Sequence, residues 1–422
     1  MGLFGKLRQY KRIIANFFSL SLINGVSYII ALFLIPYLLG VLGEERYGSY
    51  LIIYVIAQYL LLVGNYGFKF SVTRQISVFR DNKEKVNAIF NATIWARVLL
   101  SVIASIIGLL AVYLLMDRDD VIMYIFALGM VFGDILIPSW LFQGMERMKY
   151  LTIVNVVSKL VFALLIFVLI TDGKQYKYVL LFHSFGYIAA GLLSLYLAMK
   201  QFGVKLGLTT FAEIREQVKD GWHIFVSNIG MEIYRNSNVV LLGFMAGDAA
   251  AGIYGAVEKL IKAAQTIINA LPMAIYPYIS RVFYNSDTTD NVSKLFRIVK
   301  WAFVLLLPVT LLLGFCNPLI ASYLKLDEGI VRKIVWIISP ALLFGCLNYI
   351  VGIVGLVNLD ASSKFQKNIW IAGISCVSLM LLTCTRYTYY AIYAAALAWT
   401  WAEFILFVLC VVSLKKIKAA QK

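Results

Sequence analysis

Nine charged side chains lie inside long apolar runs of this sequence: the cations Arg97, Lys159, Arg235, Lys259 and Lys262, and the acids Asp134, Glu232, Glu258 and Glu403. One charge at a bilayer centre costs about 2.5–3.5 kcal/mol on insertion scales, so such residues are kept for a reason. Two uses compete. Opposite charges on neighbouring helices could pair and hold a bundle together. Alternatively, the five cations line a water-filled cavity and face an anionic ligand, while the acids take up a coupled proton or sodium ion. Glu232 and Arg235 are three apart and Glu258 and Lys262 four apart, so each pair shares a helix face. Arg97, Lys159 and Lys259 have no acid at such a spacing, and Asp134 and Glu403 have no cation.

The stretch GWHIFVSNIGMEIYRNSNVVLLGFMAG, residues 221–247, concentrates the question. Arg235 lies about 14 residues into its apolar run, roughly 21 Å along a helix. Snorkelling from that depth is beyond one side chain. Asn228, Arg235 and Asn238 recur at intervals of seven and three, which gives the helix one polar face, and Asn236 and Ser237 stand beside it. Amides at such positions either pack helices together or meet a polar ligand.

The elements that hold these residues follow from composition. The chain has 422 residues, 61% hydrophobic and 14% charged, with mean hydropathy +0.83. A soluble domain carries about 25% charged residues. Apolar runs of the roughly 20 residues that cross a bilayer recur throughout. Lipid forces backbone hydrogen bonds to close within each segment. The expectation is an all-α polytopic membrane protein of twelve transmembrane helices. They fall near 13–39, 48–68, 88–116, 121–143, 151–170 and 179–199, then near 221–246, 251–280, 296–322, 331–356, 369–384 and 390–413. The basic start and the long run Ile13–Leu39 read as an uncleaved first span rather than a signal peptide. Pro272 and Pro277 should kink the eighth. Six and six gives two six-helix lobes, 1–200 and 221–422, joined by a basic cytoplasmic linker, 201–220.

The segments 1–12, 69–87, 144–150, 200–220, 281–300, 357–368 and 414–422 hold 25 Lys/Arg and 9 Asp/Glu, and the opposite loops hold 8 and 9. This asymmetry puts both termini in the cytoplasm. Attraction to anionic headgroups then accounts for the net charge of +16 without a nucleic-acid partner.

Several classes are excluded. There is no GxxxxGK(S/T), HExxH, GxSxG or Cys/His cluster, so no nucleotide, metal or cofactor site is expected. The opposite loops, such as Asp117–Asp120 and Gly247–Ala250, leave no room for an active site, so the chain is not read as an enzyme. The five cysteines sit in or beside apolar runs and read as small buried residues. The junctions LLGVLGEERYGSY, from Leu38, and LLGFMAGDAAAGIYGAV, from Leu241, resemble each other through Leu-Gly and Tyr-Gly pairs. With six spans per half, such repeats would be parallel, about an axis along the membrane normal.

Three stretches carry a family resemblance: INGVSYIIALFLIPYLLGVLGEERYGSY (Ile23–Tyr50), PSWLFQGMERMKYLTIVNVVSK (Pro138–Lys159), and the run from YRNSNVVLLG at Tyr234 through GIYGAVEKLIKAAQ to ALPMAIYPYISR, ending at Arg281. The chain resembles the Wzx-type flippases for lipid-linked oligosaccharides, the polysaccharide-transporter branch of the multidrug/oligosaccharidyl-lipid/polysaccharide exporter superfamily. From about Phe296 onward the match is mainly in hydropathy. The resemblance implies a MATE-like, V-shaped pair of lobes around a cationic cavity in the bacterial cytoplasmic (inner) membrane. It implies movement of an undecaprenyl-pyrophosphate oligosaccharide to the outer leaflet by alternating access, for O-antigen, capsule or exopolysaccharide assembly. H+ or Na+ coupling and polysaccharide-assembly partners would go with it. Arg97, Lys159, Arg235, Lys259 and Lys262 would meet the pyrophosphate, and Asn228, Asn236 and Asn238 the sugar hydroxyls. An ion-coupled multidrug exporter of the same superfamily is the alternative, but it should carry more acids than cations. A membrane glycan polymerase or ligase would need a large catalytic loop outside.

Overall fold

The structure, a computed structural model, describes residues 3–284, 288–386 and 390–420, without the side chains of 3–28, Ala31, Tyr234, 270–284, 288–289 and 385–386. The side chains of Pro272 and Pro277, on which an expected kink rests, therefore lie outside the described residues. Among the described residues there is no strand. Nine stretches among them are long and apolar enough to cross a bilayer. One of these, Leu32–Phe79, holds the end of the first expected span and all of the second. The helices α8 (Phe211–Ala246) and α9 (Asp248–Tyr284), which carry five of the nine charges, are not among the nine. The protein is an all-α polytopic membrane protein.

Helix α1 (Leu3–Asn65) runs 63 residues and breaks once, at Gly43, with φ 78° and ψ 169°. That backbone is open to glycine and costly for any residue with a Cβ. The break falls at the expected junction of the first two spans. The chain divides into two compact units, Met1–Leu42 with Ile53–Ile229, and Gly43–Ile52 with Gly230–Lys422. The short piece belongs to the second unit because of a crossing of glycines. A Cβ on Gly48 would strike the carbonyl of Asp248, and a Cβ on Gly252 the carbonyl of Glu44. Each glycine faces the backbone four residues before the other, so the crossing is reciprocal. Ser49 closes it with a hydrogen bond to the Asp248 carboxylate. The two similar junctions thus meet in the register Gly48 to Gly252. The Tyr47-Gly48 and Tyr254-Gly255 pairs that carried the likeness are offset from it by three residues.

The first unit adds α2 (Phe68–Phe79), α3 (Lys83–Leu115), α4 (Arg118–Ile135), α5 (Ser139–Gly144), α6 (Met148–Leu169), α7 (Tyr178–Phe202) and α8 up to Ile229. Helix α2 replaces part of an expected loop. Its Phe68, Val72 and Ile76 recur every four residues and are buried, while Lys69, Phe70, Arg74 and Val78 are exposed. Trp140, Leu141 and Phe142 of α5 sit in the same core, with Trp140 5.8 Å from the Phe90 ring. The distinctive Trp140–Gly144 run is therefore packing, not a ligand motif.

A polar ladder on α3 fixes the α7–α8 connection. Lys205 N donates to Asn87 (2.6 Å), and Gly207 N to Asn91 (2.8 Å). Asn91 and Trp95 donate back to the carbonyls of Lys205 (3.0 Å) and Gly207 (2.9 Å). Three side chains one helical turn apart thus satisfy the backbone of a strap that no helix could.

The second unit adds α9, α10 (Thr288–Phe315), α11 (Asn317–Leu324), α12 (Glu328–Asn348), α13 (Ser362–Arg386) and α14 (Ala391–Ala419). Helix α12 continues as a π-helical turn, Tyr349–Val357. Buried Ala391, Ala395, Ala398 and Ala402 let α14 approach its neighbours closely.

Candidate functional site

Most of the nine charges gather in two clusters, one in each unit. In the first unit Arg97 rises from the middle of α3 and is 1% exposed. Its Nη2 meets Asp134 Oδ2 at 2.6 Å and Asn65 Oδ1 at 3.1 Å. Its Nη1 donates to the carbonyls of Ile135 and Ile137, both at 3.1 Å, and Nε to that of Gly64 at 3.4 Å. Asn65 also donates to Asp134, at 2.7 Å. Gly64 and Asn65 end α1, and Ile135 ends α4. The last carbonyls of a helix have no partner within it and carry the negative end of its dipole. One guanidinium therefore caps two helix ends and neutralises a carboxylate. It has five N–H groups, and all five are engaged. Arg97 was expected to meet an anionic ligand and Asp134 to take up an ion. In this structure they bind each other, and Arg97 has no donor left for anything else.

In the second unit the charges form a chain along α9. Tyr254 donates to Glu258 Oε1 at 2.9 Å, and Lys262 Nζ lies 3.2 Å from Glu258 Oε2. The spacing of four delivers the expected Glu258–Lys262 pair. Lys262 also donates to Asn236 Oδ1, at 3.2 Å, and to the Arg235 carbonyl. Three acceptors thus match its three N–H groups. Asn236 donates in turn to Glu232. The Lys262 ammonium stands 5.4 Å above the Trp399 ring, and that of Lys259 5.7 Å from the Tyr50 ring. Glu403, 3% exposed, accepts from Asn348 at 2.7 Å on its carboxylate and 2.9 Å on its carbonyl. Asn348 is the last residue of α12 before the π-helical turn, a feature that frequently marks functional sites.

The asparagines along α8 have different surroundings. Asn238 is fully buried, donating to Tyr254 OH (3.4 Å) and the Ala395 carbonyl (3.3 Å) and accepting from Cys376. It clips α8 to α9, α13 and α14 and has no surface for a sugar. Asn228 belongs to the first unit, where it reaches the carbonyl of Tyr66 at 3.4 Å, a residue with φ 48°. Lys159, Arg235 and Lys259 are half-buried. Spacing arguments place Tyr254 with Lys259, Gln265 and Asn269 on a polar set of the eighth expected span, and missed Asn65 and Asn348. Those two bind across helices and gave no local signal.

Comparison with known proteins adds to this geometry. The family described as polysaccharide biosynthesis protein matches residues 13–283. A protein of Escherichia coli K12 named "Putative O-antigen transporter" is 28% identical over 377 residues, covering 87% of this chain and 88% of its own. One of the same name from Shigella dysenteriae is 29% identical, covering 63% and 67%. Among solved structures, the lipid II flippase MurJ in an inward closed conformation superposes with TM-score 0.73 at 14% identity, over 96% of this chain and 87% of that one. An inward-facing MATE-family multidrug resistance transporter of the MOP superfamily gives 0.69 at 12%, over 93% and 98%. At such identities the structures share a fold with this chain. The family and the curated relatives point to transport rather than catalysis.

Proposed function

Because the chain belongs to the polysaccharide biosynthesis protein family, we propose that it flips undecaprenyl-pyrophosphate-linked oligosaccharide from the cytoplasmic to the outer leaflet. It works by alternating access between two six-helix lobes of a twelve-span bundle, in the bacterial inner membrane with both termini cytoplasmic. The observation that carries this reading is the set of five cations at half or full burial, Arg97, Lys159, Arg235, Lys259 and Lys262, in a chain of this family. Arg97 and Lys262 are held by protein acceptors on every donor. Lys159, Arg235 and Lys259 are half-buried inside spans, where a cation suits a pyrophosphate passing through. Glu258 and Glu403, each 3% exposed, are the carboxylates we assign to proton or sodium coupling.

The test is flipping of labelled lipid-linked oligosaccharide in sealed vesicles. Lys259→Ala should reach normal folded levels and lose transport, because a charge-assisted contact is worth roughly ten- to hundredfold in affinity. Collapsing both proton and sodium gradients should stop flipping. Normal transport by a stable Lys259→Ala protein would remove that residue. Export of a cationic drug without oligosaccharide movement would overturn the reading in favour of a multidrug exporter.

A further inference from the structure

The surface of the first unit that carries α2 and the start of α8 holds a site separate from the buried charges. Gln217 Nε2 donates to Gln75 Oε1 at 3.1 Å, and Gln75 Nε2 donates to Asp220 Oδ2 at 3.1 Å. An ionised carboxylate accepts and cannot donate, so Asp220 fixes the direction of both amides. The far end of the chain is then the Gln217 carbonyl oxygen. Gln217 is 6% exposed, and this oxygen has no hydrogen-bond partner among the described residues. A buried acceptor without a donor is destabilising, so the position calls for an N–H or O–H group.

Gln217 lines a cavity of about 450 Å³ together with Glu216, Asp220, Phe79 and Lys85. A second cavity of about 640 Å³ shares Gln75, Phe79 and Asp220 with it and adds Phe70, Arg74, Val78 and Ile224. The two adjoin at Gln75, Phe79 and Asp220, so a ligand that spans them meets a groove with ordered chemistry. Phe70 and Val78 offer exposed hydrocarbon, 61% and 67% accessible. Arg74 offers a guanidinium, for which the structure gives no ion pair among the described residues. The carboxylates of Glu216 and Asp220 line the first cavity together with Gln217, whose buried carbonyl oxygen has no partner among the described residues. Glu213 is not counted, because the Oε2 of its carboxylate is already held by Thr209 and Thr210.

The carboxylates select a cation, the amide oxygen selects one that carries hydrogen, the guanidinium selects an anion, and the outer wall selects an acyl chain. In a membrane protein the bilayer supplies one such amphiphile, with tail, phosphate and primary ammonium in that order. We propose that this groove binds an aminophospholipid of the phosphatidylethanolamine type, its ammonium at Glu216, Asp220 and Gln217 and its phosphate at Arg74.

The test uses the purified full-length protein in detergent. It is titrated with phosphatidylethanolamine, phosphatidylcholine or phosphatidylglycerol of one acyl composition, and bound lipid is counted by native mass spectrometry. Phosphatidylethanolamine should be retained about tenfold better than the other two. Phosphatidylcholine keeps the charge but has no N–H, and phosphatidylglycerol has no cation. Gln217→Leu and the exposed Glu216→Gln should each bring phosphatidylethanolamine down to the phosphatidylcholine level. Arg74→Gln should lower all three. Equal retention of phosphatidylethanolamine and phosphatidylcholine overturns the proposal, as does retention led by phosphatidylglycerol. If Gln217→Leu does not fold, Glu216→Gln decides, and an unchanged preference in that variant also overturns it.

Discussion

The clusters around Arg97 and Lys262 start from the same ingredients, one cation and one carboxylate of low exposure, and end differently. Arg97 is tied mostly to backbone: three of its five acceptors are carbonyls at or just past the ends of α1 and α4. Helix ends are rigid, so this arrangement has one geometry. Lys262 is tied mostly to side chains, Glu258 and Asn236, with one carbonyl. Its partners sit on rotatable bonds and have partners of their own, Tyr254 and Glu232. A cation on backbone acceptors holds helices in place. A cation in a side-chain relay can exchange partners when a ligand or proton arrives. The number of buried charges is a poor guide to function, and the kind of acceptor is a better one.

The largest effect should come from Arg97→Ala. Breaking a buried pair costs about 3–5 kcal/mol, because the other charge is stranded. Here the carbonyls of Gly64, Ile135 and Ile137 are stranded as well. Folded protein should fall to a small fraction of normal, read by size-exclusion of detergent extracts. Removing Asp134 too should restore little, since those carbonyls stay open. Arg97→Lys should also fail, because an ammonium brings three donors to five acceptors. Full rescue by Asp134→Ala would show that the ion pair alone matters and would dissolve the contrast with Lys262.

Lys262→Met should cost less, roughly 1.5–3 kcal/mol, the range for a hydrogen bond to a charged group. Its side chain is 19% exposed, and Glu258 keeps the Tyr254 hydroxyl as a donor. The double change with Glu258→Gln should be milder than the sum of the two, because the two side chains contact each other directly. Thermal unfolding of the four proteins measures this coupling. Strict additivity would mean that the two residues do not act together.

Much of the fold was legible, and the site only in part. Helices follow from apolar run length, and the break at Gly43 follows from a glycine in a Leu-Gly-rich junction with acids beside it. The Glu258–Lys262 pair was legible because both partners share one helix, where spacing is geometry. Arg97 and Asp134 are 37 residues apart on α3 and α4, and no local period connects them. Asn228, Arg235 and Asn238 suggested one face, but the surroundings change along α8: Asn228 is with the first unit and Asn238 is sealed among four helices of the second. Periodicity assigns residues to a side of a helix. It does not say what lies on that side. Helix α2 was missed because three buried residues, Phe68, Val72 and Ile76, are a short signal among Lys and Arg that read as a loop.

The smallest effect separates buried from exposed carboxylates. Glu213 lies in the first turn of α8, where Thr210 and Glu213 cap each other. The Thr210 N–H donates to Glu213 at 2.8 Å, the hydroxyls of Thr209 and Thr210 add bonds at 2.7 and 2.8 Å, and the Glu213 N–H returns one to Thr210 at 3.3 Å. Such a reciprocal cap satisfies orphan donors at a helix start. These bonds favour the ionised form, the backbone N–H of Thr210 first, and hold the Glu213 carboxyl below its ordinary 4.5. The sign follows from linkage. A carboxylate with a depressed folded value contributes stability that is complete above its unfolded value and is lost as pH falls through the folded one. The strap and first turn of α8 should therefore keep their protection from pH 7 down to about 4.5 and lose it below. Hydrogen exchange at residues 210–214 reads this locally. Glu213→Gln should flatten the acid dependence and slightly raise exchange at pH 7, while leaving the Arg97 and Lys262 clusters unchanged. If the acid transition survives in Glu213→Gln, the Thr210–Glu213 cap is not its source.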